Sequence, residues 1–307
     1  MKINITFFCA FIFIVLSLSF SCAVPFDEEV YHFDSISLPP SHEDTLLGNV
    51  VTPPETGLIE EPLCKTLAIS GRYYRDLTGQ SAQLIDNHLY LISSASKRSS
   101  AAIIELNSDL EEIWRGDLDT PAKIAGHATS LAYKKGFPAL LGINQKFLVI
   151  NWDLFRQDGN LSRAIMRDIA DPLAENFSRG EYVTLYGKTY LATSDYVGNI
   201  RLYDAEKLRT AASTIEEGVL FKTIAMPPFV QSLVWQNDKL LLVRNIENVL
   251  GMQLTSLNLD TGEIEQNICF TGRGELEGYR QLPDGREIFL TGEYGEAGGL
   301  MYVTEVP

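Results

Sequence analysis

Leu89-Tyr90-Leu91-Ile92, Ala139-Leu140-Leu141, Thr189-Tyr190-Leu191, Leu240-Leu241-Leu242 and Ile288-Phe289-Leu290 are five versions of one dense apolar run. Taking Tyr90, Leu140, Tyr190, Leu240 and Phe289 as anchors gives steps of 50, 50, 50 and 49 residues. Equal steps of this size mark a structural repeat, of the kind found in solenoids, propellers and arrays. Turn residues precede each run: Asp86-Asn87, Lys135-Gly136, Tyr186-Gly187, Asn237-Asp238 and Asp284-Gly285. Short runs rich in branched and aromatic residues, bounded by such turns, read as strands.

Each unit continues outward from its anchor. A third run follows at Ala101–Leu106, Lys146–Trp152, Asn199–Tyr203, Gln253–Leu259 and Leu300–Val303. A fourth follows at Leu110–Trp114, Phe221–Ala225 and Ile264–Phe270. Ala205–Ala212 reads as a short helical insert, and Leu161–Ala170 as either helix or fourth strand. Four strands per unit at this period predict an all-β propeller, with five four-stranded blades over residues 63–307. The last unit stops after its third strand, while Cys64–Ser70 has no unit of its own. That N-terminal strand is expected to close the last blade, removing the unpaired edges that invite aggregation. The alternative is six blades, one of them degenerate and using the segment before residue 63 together with Gly71–Thr78. The glycine-rich Gly292–Gly299 lacks the lysine and following helix of a phosphate loop. It is expected as the hairpin between the second and third strands of the final blade.

The N-terminus has another character. Met1-Lys2 precedes an almost wholly apolar Phe7–Phe20, followed by small residues. This predicts a signal peptide over residues 1–22 and an exported protein; the run is short of the ~20 apolar residues of a membrane-spanning helix. Ser19-Phe20-Ser21-Cys22 resembles a bacterial lipobox, with Leu18 one position out of register. Cys22 is therefore the expected lipidation site, and the cell envelope the expected location. Ordinary cleavage near Ala23, giving a periplasmic or secreted soluble protein, is the alternative. Residues 23–62, acidic and proline-containing, read as a flexible tether. Membrane contact is expected only through the anchor.

The chain carries 40 acidic and 25 basic residues, a formal charge of −15. Such a surface repels phosphate backbones, which excludes nucleic acid as a partner. An envelope protein or a small extracellular ligand is expected instead, bound by a monomer. Of the four cysteines, Cys9 and Cys22 belong to the signal, which leaves Cys64 and Cys269 as a candidate disulfide. The two are too far apart for a zinc motif, and only four histidines are present, so no structural metal is expected.

Propellers bind ligands at a mouth of the central channel, near the start of each innermost strand. Those positions hold Gln80, His127, Glu181, Gln231 and Glu277, with Glu275 two residues before the last. His127 could act as base, ligand or donor near its free pKa. Glu275 and Glu277 would face one side of a strand and could share a proton or hold Ca²⁺; no other cofactor is expected. Gln80 and Gln231 could only bind or orient. Glycoside hydrolysis would need two placed carboxylates, and no Gly-x-Ser-x-Gly elbow is present for a serine hydrolase.

The unit Phe229-Val230-Gln231-Ser232-Leu233, followed by Lys239-Leu240-Leu241 and Leu257-Asn258-Leu259-Asp260-Thr261-Gly262-Glu263-Ile264, resembles a blade of the plant-type glutaminyl cyclases. That family is also five-bladed. The Glu-Ser/Thr-Gly string expected next in it is replaced by Val243-Arg244-Asn245. The resemblance therefore implies the propeller fold and carries over no catalytic residue. The expected function is a non-catalytic ligand- or protein-binding module. The alternative is an extracellular hydrolase, lyase or cyclase acting at the channel mouth.

Overall fold

The computed structural model describes residues 49–51, 65–67, 71–75, 77–94, 101–118, 125, 127–196, 198–226, 228–246, 251–272, 274–295 and 298–306. The expected signal segment, Cys22 and Cys64 lie outside them.

Five antiparallel sheets form a five-bladed β-propeller. Blade one comprises Thr78–Ile85, His88–Ser94, Ala102–Leu106 and Glu112–Asp117. Blade two comprises Ser130–Ala132, Ala139–Ile143, Lys146–Ile150 and Ile165–Ala170. Blade three comprises Arg179–Leu185, Lys188–Ser194, Asn199–Asp204 and Leu220–Ala225. Blade four comprises Val230–Gln236, Lys239–Ile246, Gly251–Leu257 and Ile264–Thr271. Blade five contributes Glu275–Gln281, Glu287–Gly295 and Gly298–Val306 from the C-terminal end of the chain. The innermost strand of every blade touches that of the next, and blade five touches blade one, so the ring is complete.

All five anchors fall in second strands. The preceding turns require left-handed backbone: Asp86 and Asn87 have φ of 50° and 67°, and Asn237 and Asp238 have 51° and 58°. Paired positive φ values are those of the tight hairpin turns whose twist matches the flanking strands.

The dense runs are apolar because both of their faces are buried. Leu89 and Leu91 pack towards blade five, with Ile288 and Leu290. Tyr90 and Ile92 pack towards blade two, with Leu131 and Leu141. The period-two alternation of a strand sends successive side chains to opposite neighbours. The same division recurs around the ring, giving one apolar cluster at each of the five blade interfaces.

The N-terminal segment reaches the ring along its rim. Asn49–Val51 pairs parallel with Lys222–Ile224 on the outer strand of blade three. Lys65–Thr66 pairs parallel with Phe270–Thr271 on the outer strand of blade four. Gly71–Arg75 then pairs antiparallel with Leu300–Thr304 and completes blade five. The closing strand is thus Gly71–Arg75 and not Cys64–Ser70. The reason is topological: each outer strand leads directly into the next blade's innermost strand, and Gly71–Arg75 ends just before Thr78. Asn49–Val51 lies inside the stretch expected as a free tether, so the end of that stretch is strand-paired.

Among the described residues, helix is confined to inserts. Leu161–Ala170 is both things at once, a helical turn over Leu161–Ala164 and a strand from Ile165. Trp152–Asp158, expected as strand end and turn, is a helix capped by the Asn151 side chain and stopped by left-handed Gly159. Its Trp152 and Phe155 pack on Tyr90 and Trp114, with ring centroids 5.3 and 5.4 Å apart.

Candidate functional site at the channel mouth

In blades one, four and five the ladder slips by one residue near the start of the innermost strand. The slips lie between Gly79 and Ser81, between Val230 and Ser232, and between Leu276 and Gly278. The extra residues are Gln80, Gln231 and Glu277, three of the expected site positions. A bulge bends its strand and re-aims the unpaired residue. In blade five Glu275 is exposed, while Glu277 is buried at 1% exposure with its side chain beside Gly292, the residue opposite Glu275.

Glu181 is not at the mouth. Its ladder is unbroken, in register with Ala192. Its carboxylate crosses the channel to the Arg280 guanidinium of blade five and accepts from Gln83 Nε2 of blade one at 3.2 and 3.3 Å. Gln83 and Arg280 lie three residues further along their strands than Gln80 and Glu277, so this cross-link spans the ring deeper than those positions. Burial pushes the Glu181 carboxyl above its usual range, against the opposing pull of Arg280 and of hydrogen bonds from Gln83 and the Tyr182 backbone. Gln80 is likewise withdrawn: it is buried, and its amide donates to the neighbouring Gly79 carbonyl at 2.8 Å.

The remaining expected residues come together around one that sequence reasoning passed over, Arg179. Its Nε donates to the Gln231 carbonyl at 2.8 Å, and Nη2 to the Gln231 amide oxygen at 3.4 Å. Gln231 Nε2 in turn donates to Glu275 at 3.3 Å. Arg179 Nη1 donates to the Phe177 carbonyl at 3.3 Å, and the guanidinium carbon lies 5.5 Å from the Tyr196 ring centroid. His127 stacks on Phe177 at 4.3 Å with an interplanar angle of 18°. Tyr196 meets Phe229 edge to face at 5.6 Å. The result is an arc spanning blades two to five: His127, Phe177, Arg179, Tyr196, Phe229, Gln231 and Glu275.

Two features give the arc its character. Phe177, Tyr196 and Phe229 are half-buried, so their rings cover the rim without being sealed in it. Tyr196 and Phe229 also hold φ of 76° and 71°. Bulky side chains avoid that region, and such strain, costing about 1–3 kcal/mol per residue, clusters at ligand clamps. It is sustained by backbone bonds from Phe229 N to the Tyr196 carbonyl at 2.7 Å and from Asn245 N to the Phe229 carbonyl at 3.2 Å. The His127 pKa is lowered to about 4 by partial loss of hydration and by the Arg179 charge, although the residue is exposed overall. At neutral pH it presents an uncharged ring.

Among the described residues, no three histidine, cysteine, aspartate or glutamate side chains group as a metal ion would require. Cys269 is disulfide-bonded, and Lys65 pairs with the adjacent Phe270. Its expected partner Cys64 lies outside the described residues.

No family model and no curated protein matches the chain. Several solved structures are similar to it. One is the hydrazine synthase of Kuenenia stuttgartiensis, with 13% identity, TM-score 0.41, and 76% of this chain and 60% of that chain covered. Another is the WD40 repeat domain of RRP9, with 10% identity, TM-score 0.39 and coverage of 72% and 59%. A third is an engineered GH43 glycoside hydrolase, with 9% identity, TM-score 0.47 and coverage of 77% and 52%. The chain thus spans at most 60% of the length of each of these three, and the likeness extends to the fold alone.

Proposed function

We propose that this propeller is a non-catalytic binding module, exported and held at the cell envelope through Cys22, with the mouth arc as its recognition surface. The supporting observation is the arc itself. Four blades place three half-exposed aromatic rings, an uncharged imidazole, an amide and a carboxylate around one guanidinium. Apolar surface with a few convergent polar groups is the usual make-up of a ligand site. The state of the acidic groups favours binding over catalysis: Glu181 is occupied by Arg280 and Gln83, and Glu277 lies beneath the surface. His127 would orient or stack on a ligand.

The test is a thermal-shift screen of small molecules on the full mature chain, with and without EDTA, repeated on His127→Ala and Gln231→Ala. A compound that stabilises the wild type but neither variant supports the mouth site. Turnover of such a compound would replace this reading with the hydrolase, lyase or cyclase one. If none stabilises the wild type, small-ligand recognition at the mouth is wrong and an envelope protein becomes the ligand.

A further inference from the structure

Two buried arginines in this ring have counter-charges: Arg201 is paired with Asp195 at 2.9 Å, and Arg280 with Glu181. Arg244 differs from both. It is only 8% exposed, yet no carboxylate pairs with it among the described residues. Its Nε donates to the Pro228 carbonyl at 3.1 Å, and Nη1 to Gln253 Oε1 at 3.0 Å and Thr255 Oγ1 at 3.4 Å. All three acceptors are neutral. Nη2 has no acceptor among the described residues, and it is not sealed from water. Burial alone lowers the Arg244 pKa, to about 10.

A buried charge is ordinarily paired, because removing an ion from water costs several kcal/mol that only a counter-charge offsets. A guanidinium held rigidly by three neutral acceptors, with one terminal nitrogen still free, is pre-organised for an anion. Its place in the fold ties it to the mouth. Arg244 is in register with Val230, next to Gln231, and its Nε grips the carbonyl of Pro228, the residue before Phe229.

We propose that Arg244 Nη2 is an oxyanion site at the edge of the mouth, and that the ligand recognised there carries an acidic oxygen group, a carboxylate or a phosphate. This second clause rests on the mouth being the binding surface; the first does not.

The experiment uses phenylglyoxal, which modifies free guanidinium groups, on the full mature chain at fixed ionic strength. Modification of Arg244 is followed by peptide mass spectrometry in chloride, in acetate and in inorganic phosphate. Exposed Arg163 serves as the internal control. The expected result is saturable slowing at Arg244, about fivefold near saturation, with no change at Arg163. Slowing by acetate alone identifies a carboxylate site, and slowing by phosphate alone a phosphate site. Equal rates in all three salts, or equal slowing at both arginines, would overturn the proposal. In Arg244→Lys, which keeps the charge, the anion that protects should still raise Tm relative to chloride. In Arg244→Gln it should not, and a Tm gain retained there would also overturn the proposal. Anion protection of Arg244 without any organic ligand for the mouth would sink the mouth reading alone. A mouth ligand that binds while Arg244 ignores anions would sink only this inference.

Discussion

Glu181 of blade three and Arg280 of blade five are joined across the channel, 99 residues apart in sequence and both nearly sealed from water. Glu181→Gln leaves Arg280 buried without its counter-charge and is expected to cost about 3–5 kcal/mol, whereas the double variant Glu181→Leu/Arg280→Met is expected to be near neutral. Urea unfolding of the wild type, Glu181→Leu, Arg280→Met and the double variant measures the coupling. Additive losses would mean that the two residues are not coupled.

His127 titrates far below an ordinary histidine, at about 4. The unfolded chain, with a pKa near 6.5, binds the proton more readily, so stability contributed by the neutral ring is complete above about pH 6.5 and is lost as pH falls towards 4. The ring C–H resonances in NMR report the pKa directly. Arg179→Gln removes the neighbouring positive charge and should move the midpoint upward; an unchanged midpoint would exclude Arg179 as a cause.

Gly142 of blade two lies against the start of blade three. A methyl group there would lie 2.1 Å from the Ser178 carbonyl oxygen and 2.6 Å from Ser130 Oγ. Those groups already hold the seam: Thr129 donates to the Ser178 carbonyl at 2.7 Å, and Gly180 N to Ser130 Oγ at 2.8 Å. Gly142→Ala is expected to cost about 3 kcal/mol through overpacking. Denaturant midpoints at constant m-value check it.

Two N-terminal truncations separate the rim from the closure. Removing residues 1–62 deletes the pairing at Asn49–Val51 but keeps Gly71–Arg75; the product is expected to remain folded and monomeric. Removing residues 1–76 bares the strand Gly298–Val306, an edge prone to pairing with other chains. Size-exclusion chromatography should then show aggregation. A monodisperse product would mean that closure does not depend on this strand.

Cys269 is in a disulfide, and Cys64 is its expected partner. Cys269→Ser should lower stability by about 2–5 kcal/mol. Peptide mapping without reductant should recover Cys64 and Cys269 as one linked pair; free thiols at both would refute the pairing.

The ring was legible because its cause is local. Two-sided burial makes every second strand apolar, and Tyr90, Leu140, Tyr190, Leu240 and Phe289 repeat that demand at a fixed step. Closure was legible in kind but misplaced: Cys64–Ser70 is the more apolar stretch, whereas chain connectivity requires the strand immediately before Thr78. The helix at Trp152–Asp158 was missed because the run from Lys146 continues through Asn151 to Trp152, while its cap at Asn151 and its stop at Gly159 are residue types that also mark turns. The site was legible only in part. Gln231 and Glu275 do meet, but Glu181 does not join them, because bulges shift blades one, four and five and leave blade three unshifted. Arg179, Phe177 and Tyr196 stood out in no sequence pattern, and Phe229 and Arg244 only as parts of a blade-like string, since their meaning lies in contacts between different parts of the fold.

The rim path of the N-terminal segment also has a mechanical side. A pull on the chain ahead of Asn49 is borne first by blade three, then by the Lys65–Thr66 pairing on blade four beside the Cys269 disulfide. Only after both yield does tension reach Gly71–Arg75. The seam of the ring is thereby shielded from any tugging at the N-terminal side, and blades three and four act as its strain relief.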